Sequence, residues 1–309
     1  MDYITKLKGG SLNSTSLHVN EKHTFVRKLI STKANREYGY VRWYSQLKKL
    51  QRYNELFSGL VPKVLDAGIN EEGAYFDIEY IDNKDIKTLF KKGLIKDVEA
   101  LNVALWSAFS TLHSNTYTPT TNSLMLYYKE EVEQKINDAR QFPEFEKFFK
   151  TIDVDYNKFK ELFNQPITSE CYVHGNPTLE NILYDPNTNK ITFIDLYEEG
   201  IVDSKFADYS QVLQCSNSYY GLINDSNAYM DGNSPIYTHT VPTALKTFNE
   251  LFISEINIRY PNEYKLVKLF EATQFFRMLP FKCHAGDINK AKIFYKHATN
   301  LVNELICGK

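Results

Sequence analysis

The feature that most constrains this chain is a change of periodicity near residue 82. Before it, strand-like runs dominate: STSLHV and TFVRKL are short β-branched and aromatic runs separated by the turn-like NEKH, the pattern of a β-hairpin. VPKVLDAGI and AYFDIEYI, on either side of NEEG, predict two more strands. Between the two pairs, Tyr40, Trp43, Tyr44, Leu47 and Leu50 recur three and four apart, which predicts an amphipathic helix over 34–57. Past the polar stretch IDNKD at 81–85, the one candidate hinge, helical periodicity takes over at 97–113, 126–140, 145–163, 240–256, 264–278 and 288–306. Strand character returns only at 168–195. No internal repeat or low-complexity tract intervenes. A small β-rich region, 1–81, therefore precedes a large helical one, 82–309, in an α+β chain.

Composition narrows the class. With 309 residues, 43% of them hydrophobic, the chain can bury a sizeable core, and the 22 Tyr and 20 Phe read first as core material. The 36 basic and 38 acidic residues nearly cancel, so the chain as a whole carries no electrostatic footprint for nucleic acid or an anionic membrane, and a charged ligand must be met locally. Cys171, Cys215, Cys283 and Cys307 lie far apart without a CxxC pair, which argues against a zinc ribbon or disulfide scaffold and for a reducing cytoplasm. MDYITKLKGG lacks an apolar core of the secretory kind, and no run of about 18 apolar residues occurs, so neither export nor a membrane span is expected.

The chemistry concentrates in CYVHGNPTLENILYDPNTNKITFIDLYEEG, residues 171–200. His174, Asn176 and Asn181 fall in a loop between apolar runs, and Asp195 closes the run TFID. Two strands joined by the DPNTNK turn would set Asn181 and Asp195 side by side at one edge. Two oxygen donors there suit a hard cation such as Mg²⁺, which takes one or two protein ligands plus phosphate oxygens and water.

HGNPTLENIL resembles the HGDxxxxN catalytic loop of aminoglycoside phosphotransferases and choline kinases, and ITFIDLYEEG resembles the metal-binding strand that follows it in that superfamily. His, Gly and Asn keep their spacing, the aspartate arrives 14 residues after Asn181, and DSKFADYSQVLQ follows as the expected helix. The resemblance implies a bilobal protein-kinase-like fold that transfers the γ-phosphoryl group of ATP, with Mg²⁺, to a hydroxyl of a small metabolite. Asn181 and Asp195 would be the metal ligands. Position 176 would hold the aspartate that accepts the hydroxyl proton, and this chain has Asn176, close in shape but unable to take up a proton at neutral pH. His174 and Asp208 would support the loop.

In the N-terminal region, GGSLNST at 9–15 stands where a phosphate-covering loop would, with Ser11 and Ser14 as hydroxyl donors. FVRKL offers a strand cation for the α- and β-phosphates. Arg27 and Lys28 point to opposite faces; Lys28 is favoured, and Arg27 with Phe25 packing on adenine is the alternative. Glu37, early in the following helix, would pair with the cation. Backbone groups from Glu79 to Ile81 would meet the adenine edge.

The acceptor is less legible. Glu198, Glu199 and Asp203 with Tyr197, Tyr209, Tyr219 and Tyr220 would suit an ammonium-bearing molecule, whereas Arg277, Lys282 and His284 would suit an anionic one. An amino alcohol such as choline or ethanolamine, or a sugar serving surface polysaccharide synthesis, heads the expectations. A nucleotide-binding pseudokinase that has lost transfer at Asn176, and an aminoglycoside phosphotransferase, are the alternatives.

Overall fold

In the computed structural model residues 3–7, 13–19, 23–31, 36–197, 202–238 and 240–307 are described. The chain begins with β1 (Tyr3–Leu7), β2 (Asn13–Val19), β3 (Thr24–Ser31), α1 (Arg36–Leu56), β4 (Val64–Ile69), β5 (Gly73–Glu79) and β6 (Lys84–Asp85). It continues through α2 (Ile86–Lys91), α3 (Val98–Ser114), β7 (Thr116–Ser123), α4 (Leu124–Tyr128), α5 (Gln134–Arg140), α6 (Pro143–Phe149) and α7 (Tyr156–Glu161). Next come β8 (Pro166–Cys171), β9 (Ile182–Asp185), β10 (Lys190–Phe193), α8 (Lys205–Ser216), α9 (Tyr220–Asp225), β11 (Tyr229–Asp231) and β12 (Ser234–Ile236). The last three helices are α10 (Thr243–Arg259), α11 (Tyr264–His284) and α12 (Ile288–Cys307). These elements form two compact units, Met1–Ile86 with His174–Asn176 and Glu180–Gly200, and Lys87–Val173 with Pro177–Leu179 and Ile201–Lys309.

In the first unit the two predicted strand pairs merge into one antiparallel sheet, ordered β1-β2-β3-β5-β4. The edge strand β1 was not foreseen, because YITKL carries too little alternation to stand out. Side-chain alternation gives the sheet two distinct faces: Thr15, Lys28 and Phe76 share one line across it, and Ser16, Arg27 and Asp77 share the next. Helix α1 buries Trp43, Gln46, Leu47, Leu50 and Tyr53, and Phe57 just past its end is buried as well. At 100° per residue that arc is centred near Leu50 and Phe57, so Tyr40 and Tyr44, counted with the apolar stripe, fall past its edge. They are 45% and 47% exposed and stack on each other at 6.5 Å. The hairpin β9–β10 pairs Ile182 with Phe193, β6 adds a short third strand, and the Phe193 N–H donates to the Leu60 carbonyl at 2.8 Å.

The second unit is mainly helical, and its core is aromatic. Phe270, Phe275 and Phe276 of α11 and Phe294 and Tyr295 of α12 are fully buried with Phe145, Phe159 and Phe163. The helix expected over 145–163 is instead two, α6 and α7. The break falls where Thr151 turns its hydroxyl back onto the Phe148 carbonyl and Asp155 caps a new helix by accepting the Lys158 N–H. The segment 126–140 is helical as expected, with a π-helical turn at Lys129–Glu133 between α4 and α5. Helix α11 runs past Met278 and through Pro280 to His284. The β7–β8 and β11–β12 pairs were also not foreseen, TYTPTTNS having no apolar alternation to announce it.

Candidate active site

The register of β9 and β10 places the first two candidate residues. It extends beyond the strands, with the Ile194 N–H donating to the Asn181 carbonyl at 2.9 Å, so positions 181 and 195 stand at one end of the hairpin. Asn181 is buried and donates from Nδ2 to the Asn176 carbonyl at 2.9 Å, which turns its Oδ1 away from that loop. Asp195 adopts φ +56°, a left-handed backbone that costs a non-glycine residue about 1–3 kcal/mol and persists only where the surroundings enforce it.

The two cations of β3 separate as alternation demands. Lys28 is buried, donates from Nζ to Asp195 Oδ1, and lies over the Phe76 ring. The Lys28 charge, chiefly, holds the Asp195 carboxyl below the usual carboxylate range against the opposing effect of burial. Arg27 is committed elsewhere: Nε and Nη2 donate to the two Asp77 oxygens at 2.7 Å each, and the guanidinium covers the Tyr75 ring at 4.3 Å. Phe25, the adenine platform of the alternative reading, stacks on His18 at 4.9 Å on that same face.

The loop 174–176 is fastened from several sides. His174 is fully buried, its Nδ1 accepts the Asn176 N–H at 3.1 Å, and its ring meets Phe193 edge-on. An accepting Nδ1 makes Nε2 the protonated nitrogen. Gly175 has φ +84°, and a Cβ there would lie 3.0 Å from the Tyr197 Cβ, so both backbone and space require glycine. Asp208, in the second unit, is buried and accepts from His113 Nε2 at 3.0 Å.

Other expected residues fare differently. Ser11 lies outside the described residues, as does the Glu37 side chain. Ser14 pairs with Leu29, so it shares a face with Arg27; Thr15, opposite Lys28, has the place on the Lys28 face. The Glu79 N–H is taken by the Lys63 carbonyl at 2.9 Å and so is not available to a ligand. From α1, Gln46, which the sequence reading missed, reaches Asp195; its Nε2 donates to the Leu196 carbonyl at 2.9 Å and stands 3.4 Å from Asp195 Oδ1. One turn on, Lys49 donates to the carbonyls of Tyr197 at 2.7 Å and His174 at 3.3 Å. The detectable signal was a polar residue inside the apolar arc of α1.

Of the acceptor candidates, Tyr209 is core, packed on Trp106 and bonded to His113, and Tyr220 packs on Phe294. Arg277 pairs with Glu131 at 2.8 Å, Lys282 donates to Asn224 at 2.5 Å, and His284 packs edge-on against Phe142. Tyr219 opens α9 with φ +54°. Asp203 stands near Tyr117, whose hydroxyl is pushed up to about 12 by burial and then by that carboxylate; Tyr172 packs on Tyr117 at 5.5 Å. Glu198 and Glu199 lie outside the described residues.

Among the described residues no cluster of three or more His, Cys, Asp or Glu side chains is arranged to hold a metal ion. An amide oxygen and a carboxylate at one hairpin end are nevertheless the donor set that Mg²⁺ uses, and the Lys28 ammonium on Asp195 marks that carboxylate as a seat for positive charge. The residues fit the ion. Among the same residues no helix is long and apolar enough to cross a membrane.

No family model and no curated protein matches the sequence. The structure is similar to the crystal structure of an aminoglycoside-3'-phosphotransferase of type VIII, with TM-score 0.51 and 16% identity over 90% of this chain and 92% of that one. Likeness over nine-tenths of both chains establishes the fold: α+β and protein-kinase-like, an antiparallel sheet region followed by a helical one.

Proposed function

We propose that this chain is a small-molecule kinase that transfers the γ-phosphoryl group of ATP to a hydroxyl, with Asn176 in the position of the base. The observation that carries this reading is the meeting, within one unit, of Lys28 with Asp195 and of Asn181 with Asn176. Lys28 would grip the α- and β-phosphates. Asn181 Oδ1 and the Asp195 carboxylate would hold Mg²⁺, which when bound neutralises charge on the β- and γ-phosphates. Asn176 can accept a hydrogen bond from an incoming hydroxyl and orient it, but its amide takes up no proton, so transfer is slow in this form. His174 keeps the loop in shape through its bond to the Asn176 N–H.

For the acceptor, Asp203 with the rings of Tyr117 and Tyr172 supports an ammonium-bearing alcohol over an anionic one, whose candidate cations Arg277 and Lys282 are engaged with Glu131 and Asn224. Asn176 itself favours a second reading, a nucleotide-binding pseudokinase. Calorimetry with ATP, with and without Mg²⁺, tests what the two readings share. Binding strengthened by the metal is expected, and its absence at millimolar MgATP would remove both.

A further inference from the structure

The strained Asp195 backbone poses a physical question, because a left-handed aspartate needs neighbours that hold it there. Lys28 of β3 holds the carboxylate, and α1 holds the residues that follow it. Gln46 is buried and spends its Nε2 on the Leu196 carbonyl, next to Asp195 Oδ1. Lys49, one turn later on the same side, bridges the carbonyls of Tyr197 and His174, which are also joined by the Tyr197 N–H donating to the His174 carbonyl at 3.1 Å. Gly175 lets these segments approach, with Lys49 Nζ 3.6 Å from where its Cβ would be. The helix is itself anchored by Trp43, Leu47 and Leu50.

We propose that Gln46 and Lys49 are positioning residues: α1 fixes the Asp195 carboxylate, and docks its segment on the loop that carries Asn176, through hydrogen bonds to backbone carbonyls. This rests on the reading of Asp195 as a metal ligand. The work of Gln46 is that of a neutral donor. A carboxylate at that position would have no N–H for the Leu196 carbonyl and would add a like charge beside Asp195. Glu37, expected to serve α1 by ion pairing, sits nine residues before it in the sequence.

The test is calorimetry of ATP binding to the full chain, in Mg²⁺ and in EDTA, read as the ratio of the two affinities. Loss of residues that orient a metal ligand lowers metal affinity about 10- to 100-fold. Gln46→Met is expected to lower the Mg²⁺ enhancement about tenfold or more while leaving the affinity in EDTA nearly unchanged, a pattern that general loosening of the fold, which would lower both affinities, would not give. Gln46→Glu should lower it as well. Lys49→Met should do the same and Lys49→Arg should restore it, so the Lys49 pair decides the matter if the Gln46 variants do not fold. An unaltered enhancement in Gln46→Met, or a larger one in Gln46→Glu, overturns the proposal, the latter by showing that α1 acts through charge. A parent protein with no Mg²⁺ enhancement at all overturns the metal reading first and this proposal with it.

Discussion

The two faces of β3 make opposite use of neighbouring cations. On one, Arg27 binds Asp77, its register partner on β5, in a bidentate pair whose carboxylate is 7% exposed, and the guanidinium is further covered by Tyr75. On the other, Lys28 binds Asp195, 167 residues away, whose side chain is 43% exposed. A pair closed between adjacent strands and desolvated is part of the fold. A pair made across the sequence between a buried cation and a half-exposed carboxylate leaves the carboxylate where a ligand can reach it, and there lie the strained backbone and the candidate base position.

The largest way to sharpen this contrast is Asn176→Asp. A positioned acid–base group contributes about 10²- to 10⁴-fold in rate, so turnover of the true acceptor should rise by at least about two orders of magnitude. ADP release measured over amino alcohols, sugars and aminoglycosides checks it, and equal turnover by both forms would put the base at another residue.

Exchanging the two cations one at a time is the next test. Lys28→Met should weaken MgATP binding about 10- to 100-fold, the worth of a charge-assisted hydrogen bond, with little loss of stability. Arg27→Met should do the reverse, stranding the buried Asp77 carboxylate at a cost of about 2 kcal/mol or more in denaturant unfolding while MgATP affinity holds. Reversed outcomes would make Arg27 the phosphate ligand.

A parallel pair separates the two aspartates. Asp195→Ala should abolish the Mg²⁺ enhancement of ATP binding. Asp208→Ala should mainly lower stability, because it leaves buried His113 without its carboxylate. Equal melting losses with metal dependence intact in both would displace Asp195 as a ligand.

The smallest effect is on acid stability. Lys28 depresses the Asp195 carboxyl in the folded protein, so unfolding raises its proton affinity. The pair therefore contributes stability above about pH 4, the unfolded carboxylate range, and the contribution disappears as pH falls through the depressed folded value. Lys28→Met should flatten the stability profile there, only slightly because a half-exposed carboxylate is screened by water. An unchanged acid profile would show that the pair is too loose to be linked to folding.

The order of elements was legible because periodicity is a local property. Alternation announced β2 to β5, the three-and-four spacing announced α1, α3, α10, α11 and α12, and the DPNTNK turn was enough to bring positions 181 and 195 to one hairpin end. Edge strands and hydroxyl-rich strands such as β1 and β7 were not legible, since their pairing is supplied by a neighbour. The break between α6 and α7 was missed because a cap at Asp155 competes with helix continuation by only a hydrogen bond or two.

In the candidate site, the sequence by itself determined the residue types on the loop from His174 to Asn181 and at the end of the strand that reaches Asp195, and that Arg27 and Lys28 must part. Only the tertiary structure decided which cation meets Asp195, that Thr15 and not Ser14 shares its face, and that Gln46 and Lys49 hold the segment around Asp195. The reason is physical. Alternation and helical period say which residues share a face, but which face meets which segment depends on the register and packing of elements more than a hundred residues apart, and that is fixed only when their apolar sides are buried together.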